Sequence, residues 1–274
     1  MEHLLESERL NRYVKILLSR ELGPSSSDPN STAFDPLKAS ISAARRGDKE
    51  EAFWLIFLFV HFSKHRTAGW KYVRDVYGRL GEPDSRWDWV TTRANVEGFR
   101  NWLDANAGRI RFSSTQHGFG NHRKYESLAG WTTTGTGEVV ATYVHWVEQM
   151  DSHEQRVQEA VLAASGDRAR AFDLLYSSLS GVRRFGRTAR FDYLSMLGRT
   201  RLADIRPGKA YMVGATGPRR GAGLLFGLDN NVHATTLESK IGELERFLNV
   251  GFDVLEDALC NWQKSPGHFK PFRG

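Results

Sequence analysis

Residues 177–194 read SSLSGVRRFGRTARFDYL, and this stretch decides the fold. Gly181 and Gly186 set a turn between two runs whose apolar residues recur at helical spacing, DRARAFDLLYSSL before it and RTARFDYLSMLG after it. Asp167 stands at the N-cap position of the first run, and Gly198 closes the second. The unit is helix, hairpin, helix, over about residues 168–198. Four arginines, Arg183, Arg184, Arg187 and Arg190, crowd the turn and the start of its second helix. Backbone N–H groups at a helix start, with the helix dipole behind them, bind phosphate without reading sequence, and arginines add charge-assisted contacts.

The charge distribution points the same way. From Gly181 to Arg220 there are nine arginines and one lysine against Asp192 and Asp204, a local charge of +8 that leaves −2 on the rest of a chain whose net charge is +6. A concentrated basic patch on a balanced chain suits a polyanion, with nucleic acid ahead of a membrane surface because no membrane-seeking helix accompanies it. Affinity resting on arginine–phosphate contacts should fall steeply with salt. The competing reading is a solvated arginine-rich face.

Outward from the hairpin the periodicity is helical almost everywhere, so the fold class is mostly α. HLLESERLNRYVKILLSREL is an amphipathic helix, and GPSSSDPNSTAFDP after it is rich in turn formers. Residues 1–36 therefore read as an N-terminal helix and flexible connector, and 37–274 as the main domain. EEAFWLIFLFVHFSKH is apolar nearly all round, the signature of a helix at the centre of a bundle. The tryptophans of DSRWDWVTT read as packing anchors, and GRIRFSST as a short extended piece. With no long apolar run and an acidic amino terminus, the chain reads as soluble and unexported. The single cysteine, Cys260, fits the reducing cytoplasm.

Three groups of residues carry candidate chemistry. The loop STQHGFGNHRKYESLAGW presents Asn121, His122, Arg123, Lys124 and Tyr125 ahead of a helix expected near Tyr125, and these could bond to or stack on a substrate. In MVGATGPRRGAGLLFG, Pro218 suits a first helical turn, and the glycines allow close backbone approach to another molecule. With Arg219 and Arg220 this segment reads as a phosphate grip, to which Gly214, Thr216 and Gly217 contribute. GFDVLEDALCNWQK sets Asp253 and Glu256, the favoured acids for catalysis, on one helical face with Asp257 one position round, while Asp229 in FGLDNNVHA is a further candidate. Asp192 reads instead as an ion-pair partner balancing the arginines. No His, Asp or Glu cluster has metal spacing and no cofactor motif is present, so neither a metal nor a cofactor is expected.

The order of GFGNHRKYESLAG, GEV, LSGVRRFGRTA, the glycine-rich helix start and the acidic C-terminal helix resembles the helix-hairpin-helix DNA glycosylase superfamily, colinearly from about residue 50 to residue 265. Within it, FGRTARFDYL, GATGPRRGAGLLFG and LEDALCNWQK look most like the α-glutamyl/putrescinyl thymine pyrophosphorylase branch, glycosylase-like proteins associated with hypermodified phage pyrimidines. The resemblance implies a helical bundle of two subdomains around a cleft, with double-stranded DNA as partner held by Arg183, Arg184, Gly186, Arg187, Thr188 and Arg190. Thr188 stands where lyase members carry a Schiff-base lysine, and Gly214 where the superfamily's usual aspartate is expected. The expectation is a monomeric, monofunctional glycosylase that flips out and excises a hypermodified pyrimidine, such as glucosylated hydroxymethylcytosine, from phage DNA as antiviral defence. Two alternatives stand beside it: a pyrophosphorylase-type transferase that builds a modified thymine, and a DNA-binding module without chemistry.

Overall fold

A computed structural model describes residues 1–110, 119–120, 123, 126–229 and 231–270. Among these, thirteen α-helices and no strand occur. In chain order they are α1 (Glu2–Ser19), α2 (Pro36–Arg45), α3 (Lys49–Phe62), α4 (Lys71–Tyr77), α5 (Trp89–Ala94), α6 (Val96–Ile110) and α7 (Thr136–Glu148). There follow α8 (His153–Ala163), α9 (Arg168–Ser178), α10 (Arg187–Arg199), α11 (Gly217–Phe226), α12 (Ala234–Leu248) and α13 (Phe252–Trp262).

The all-round apolar run is α3, capped by Asp48, whose side chain accepts from the Glu51 N–H. Its whole surface needs cover, and α2, α4, α5, α8 and α10 pack around it. Ala43 and Ala52 are both fully buried, and the Ser40 hydroxyl donates to the Ala52 carbonyl at 2.9 Å, as expected where α2 and α3 lie close. Trp54 and Trp89 are core residues, and the Trp54 indole donates to the Trp87 carbonyl at 2.9 Å. Phe57 stacks on Tyr143 of α7 with ring centres 3.8 Å apart.

A second, smaller core gathers α11, α12 and α13 around Met212, Ala222, Leu237, Ile241, Leu255 and Leu259. α11 lies very close to α13: a Cβ on Gly217 would stand 2.8 Å from Cys260 Sγ, and one on Gly221 would overlap the Leu259 carbonyl. Gly217 and Gly221, expected to admit another molecule, thus admit the protein's own helix. α1 bridges the two cores, with Val14 and Leu17 in the larger and Leu4 against the smaller. Arg45 ties it down by donating to the Leu17 and Arg20 carbonyls, each at 2.8 Å.

Three local expectations are corrected. Gly108–Ile110 of the segment expected to be extended complete α6, because the amphipathic pattern from Val96 runs through Ile110, a core residue. Tyr125 itself lies outside the described residues; the described residues 126–135 that follow it form an irregular run with one parallel bridge, Ser127 to Gly135, and α7 starts at Thr136, whose hydroxyl donates to the Ser127 carbonyl at 2.7 Å. In the hairpin Asp167 accepts from the Ala169 and Arg170 N–H groups and Gly186 is the N-cap of α10, while Gly198, expected to close that helix, lies within it and Thr200 is the C-cap.

Candidate active site

Between the two cores lies a cleft of about 630 Å³, walled by α1, the end of α3, one side of α10, the turn entering α11, and α13. That volume falls in the range of small-molecule sites. The α10 wall presents Thr188, Asp192, Ser195 and Arg199, spaced by four, three and four residues so that they share one face. A polar stripe on a helix otherwise packed into a core is the sequence signal that could have singled out Asp192 and Ser195.

The arginines of the opening stretch have different fates. Arg187 turns inward: it pairs with Glu256 of α13 and donates to the Tyr211 and Ala210 carbonyls, the latter two at 2.9 and 2.6 Å. It is not available to a phosphate. Arg190 donates to the Tyr176 carbonyl at 3.2 Å and lies over the Tyr176 ring. Arg184, in a left-handed backbone conformation at φ 56°, pairs with Glu126 at 3.2 Å. Arg183 is exposed, as is Gly186 at the tip of the hairpin. Thr188 lines the cleft.

The two favoured acids, Glu256 and Asp253, are held by arginines of α10, Arg187 and Arg199. Asp253 accepts two bonds from Arg199, at 3.0 and 2.7 Å. Burial pushes the Glu256 carboxyl upward, while Arg187 opposes the shift. Asp257 accepts from the Ser7 hydroxyl at 2.7 Å and the Asn261 amide at 3.1 Å. Asp192, expected to be the ion-pair acid, is held most loosely. Its nearest cation is Arg123 at 3.9 Å, and its side chain keeps 43% exposure, open to the cleft. The protein surrounding the cleft nevertheless raises its pKa to about 6, with Arg123 as the main opposing charge. Solvent reaches this carboxylate while protein crowds it, the condition of a group at the floor of a deep cleft.

Arg123 is buried, and its Nε donates to the Val60 carbonyl at 3.1 Å. Asn121, His122, Lys124 and Tyr125 lie outside the described residues. Gly214, Thr216 and Gly217 line the cleft, with Gly214 in the left-handed region at φ 75°. Arg219 donates to the Val232 carbonyl at 2.6 Å. It lines a second cavity together with Arg220, Thr216 and the exposed Asp229. Asp229 does not line the main cleft. Cys260 does, but burial pushes its thiol up to about 11, which leaves little thiolate near neutral pH. Among the described residues no group of three His, Cys, Asp or Glu is placed to hold a metal ion, and no helix is long and apolar enough to cross a membrane.

A family model described as alpha-glutamyl/putrescinyl thymine pyrophosphorylase clade 3 matches residues 1–274. The chain belongs to that family. No curated protein and no solved structure matches. The branch of the resemblance is thereby shown over the whole chain, while the wider glycosylase superfamily is not confirmed. In this pyrophosphorylase-family chain the N-terminal helix belongs to the site, since α1 supplies a wall of the cleft.

Proposed function

We propose that this protein is a transferase acting on a thymine-class base of DNA, in which an amine displaces diphosphate from the activated 5-methylene carbon. The family name supports this reading over base excision. The observation that carries it is Asp192, a carboxylate 43% exposed to a cavity of about 630 Å³ with its nearest cation 3.9 Å away; burial pushes its pKa up to about 6. The amine nitrogen forms a bond to the methylene carbon, the carbon–oxygen bond to diphosphate breaks, and the proton shed by the nitrogen goes to Asp192. A base of that strength is mostly ionised near neutral pH and ready to accept the proton. Of the cations lining the same cleft, Arg9, Arg187 and Arg199 are closely paired with carboxylates, so Lys64 and Arg123 are the ones this reading assigns to the departing diphosphate. DNA is the polymeric substrate in this reading, approached by the exposed part of the hairpin around Arg183, with the base flipped into the cleft.

The test incubates the purified protein with duplex DNA carrying a thymine diphosphorylated at its methyl carbon, together with putrescine or glutamate. Released diphosphate and a substituted base on an intact glycosidic bond are expected. Free base and alkali-labile abasic sites would replace this reading with the glycosylase one, and retardation of DNA without product would leave a binding protein.

A further inference from the structure

Asp192 keeps a cation within reach without bonding to it, and the cause lies outside the cleft. The Arg123 guanidinium stops 3.9 Å short of the carboxylate, while its Nε is spent on the Val60 carbonyl at 3.1 Å. Three residues on, the Glu126 N–H donates to the Arg123 carbonyl at 3.0 Å, a tight turn that places both side chains on one short segment. Arg123 feels the charge of Glu126 as well as that of Asp192. It is one cation between two carboxylates.

Glu126 in turn is held from the hairpin. Its side chain, only 9% exposed, accepts from Arg184 Nε and Nη2, each at 3.2 Å, the two-pronged geometry that fixes a carboxylate firmly. The backbone around Arg184 is anchored on both sides: Phe185 is buried with its ring centre 5.6 Å from that of Phe57, and the Arg183 N–H donates to the Thr142 hydroxyl at 3.0 Å. Arg184, Glu126, Arg123 and Asp192 therefore alternate in sign from the hairpin into the cleft. Neither Arg184 nor Glu126 lines the cleft itself.

We propose that Glu126 is a positioning residue, which holds Arg123 back from Asp192 and is itself held by Arg184. Its role rests on the amine-transfer reading, in which Asp192 takes the proton of the incoming nitrogen. A closed Arg123–Asp192 ion pair would stabilise the charged carboxylate and weaken it as a base, whereas a shared Arg123 leaves it open to that proton. The other charged groups that face Asp192 are committed elsewhere. Arg187 and Arg199 of α10 pair with Glu256 and Asp253 of α13, Asp257 of α13 accepts from Ser7 and Asn261, and Arg9 of α1 pairs with Glu6. Lys64, beyond the end of α3, lines the same cleft. Arg123 is the member of this set through which a charge outside the cleft reaches the base.

The test follows the Asp192 carboxyl carbon by carbon-13 NMR across pH in the full-length protein, with Asp192→Asn identifying its signal. Glu126→Gln frees Arg123 to close on Asp192 and is expected to lower the carboxyl pKa by about one pH unit, the effect of an opposite charge brought into contact. Arg184→Ala leaves Glu126 to draw harder on Arg123 and is expected to raise it by about half a pH unit. Arg184→Lys keeps the charge and should return most of the way to the parent. The double variant Glu126→Gln/Arg184→Ala should titrate like Glu126→Gln alone, because Arg184 acts through Glu126. The rise of kcat/KM with pH should move with the carboxyl in each case. A mere staple between hairpin and loop would lower the melting temperature of Glu126→Gln and leave the Asp192 titration where it was, and that result overturns the inference. So does an Arg184→Ala shift that persists in the Glu126→Gln background. Shifts that follow these expectations without release of diphosphate by any variant would sustain the positioning role and refute the transfer reaction.

Discussion

Arg187→Ala separates two roles that an arginine at a hairpin can have. If Arg187 gripped phosphate, its loss would weaken DNA binding and leave the fold alone. Its geometry says otherwise: with side chains only 9% and 11% exposed, Arg187 and Glu256 form a buried pair that joins α10 to α13. The same guanidinium satisfies the carbonyls of Ala210 and Tyr211, the segment leading from the larger core into the smaller. Truncation strands one buried carboxylate and removes a donor from two carbonyls. Removing one member of a buried ion pair costs about 3–5 kcal/mol. At about 2–4 °C per kcal/mol for a chain of this size, the melting temperature should fall by roughly 6–20 °C. Arg183→Ala, at an exposed position, should stay within about 0.5 kcal/mol of the parent. Thermal unfolding followed by circular dichroism reads both variants, and a DNA titration at fixed salt reads the other role. An Arg187→Ala protein that melts with the parent but binds DNA poorly would refute the argument.

Three further outcomes follow from the same coordinates. Asp192→Asn should reduce diphosphate release by about 100- to 10,000-fold, the usual contribution of a positioned base. The parent's kcat/KM should rise with pH through about 6, as Asp192 ionises, and this rise should be absent from the residual activity of the variant. Burial raises Glu51 from 4.5 to about 8, so its contribution to stability is full at low pH and drains away as pH climbs towards 8. Glu51→Gln should flatten that decline in denaturant titrations between pH 5 and 9, and an unchanged slope would count against the buried acid. Gly221→Ala should destabilise by about 1–3 kcal/mol because its Cβ would meet the Leu259 backbone, whereas Gly242→Ala, with open space on α12, should be neutral or gain up to about 1 kcal/mol. Equal melting temperatures for the two alanine variants would contradict the close packing of α11 on α13.

The sequence carried the helices because their signals are local. Asp167, Gly186 and Pro218 mark helix starts within a few residues of the groups they serve, and the apolar run of α3 needs no partner to be read as buried. Pairing between distant charges leaves no local trace. Arg187 meets Glu256 across 69 positions and Arg199 meets Asp253 across 54, so the periodicity of α13 set its acids on a face without saying that cations already occupied it. Asp192 was obscured for the complementary reason. Surrounded in sequence by arginines, it reads as their counterion, yet Arg187 and Arg199, one turn and two turns away on α10, reach across to α13 instead. Glycine was ambiguous in the same way, since Gly217 and Gly221 announce a close approach without naming what approaches.

The basic stretch must therefore be counted by side-chain fate before it is converted into DNA affinity. Of the ten cations between Gly181 and Arg220, Arg187, Arg190, Arg199 and Arg219 bond within the protein, and Arg184 and Lys209 pair with Glu126 and Asp173. Arg183, Arg201, Arg206 and Arg220 remain exposed without an ion pair among the described residues. With a salt slope of about −0.9 per phosphate neutralised, ten contacts would give a log–log slope near −9, and four give at most about −3.6 from this stretch. A titration of duplex DNA over a range of salt concentrations measures that slope directly. Replacing all four exposed arginines with alanine should remove most of it. If the quadruple variant kept the parent's slope, the hairpin region would not be the face that meets DNA.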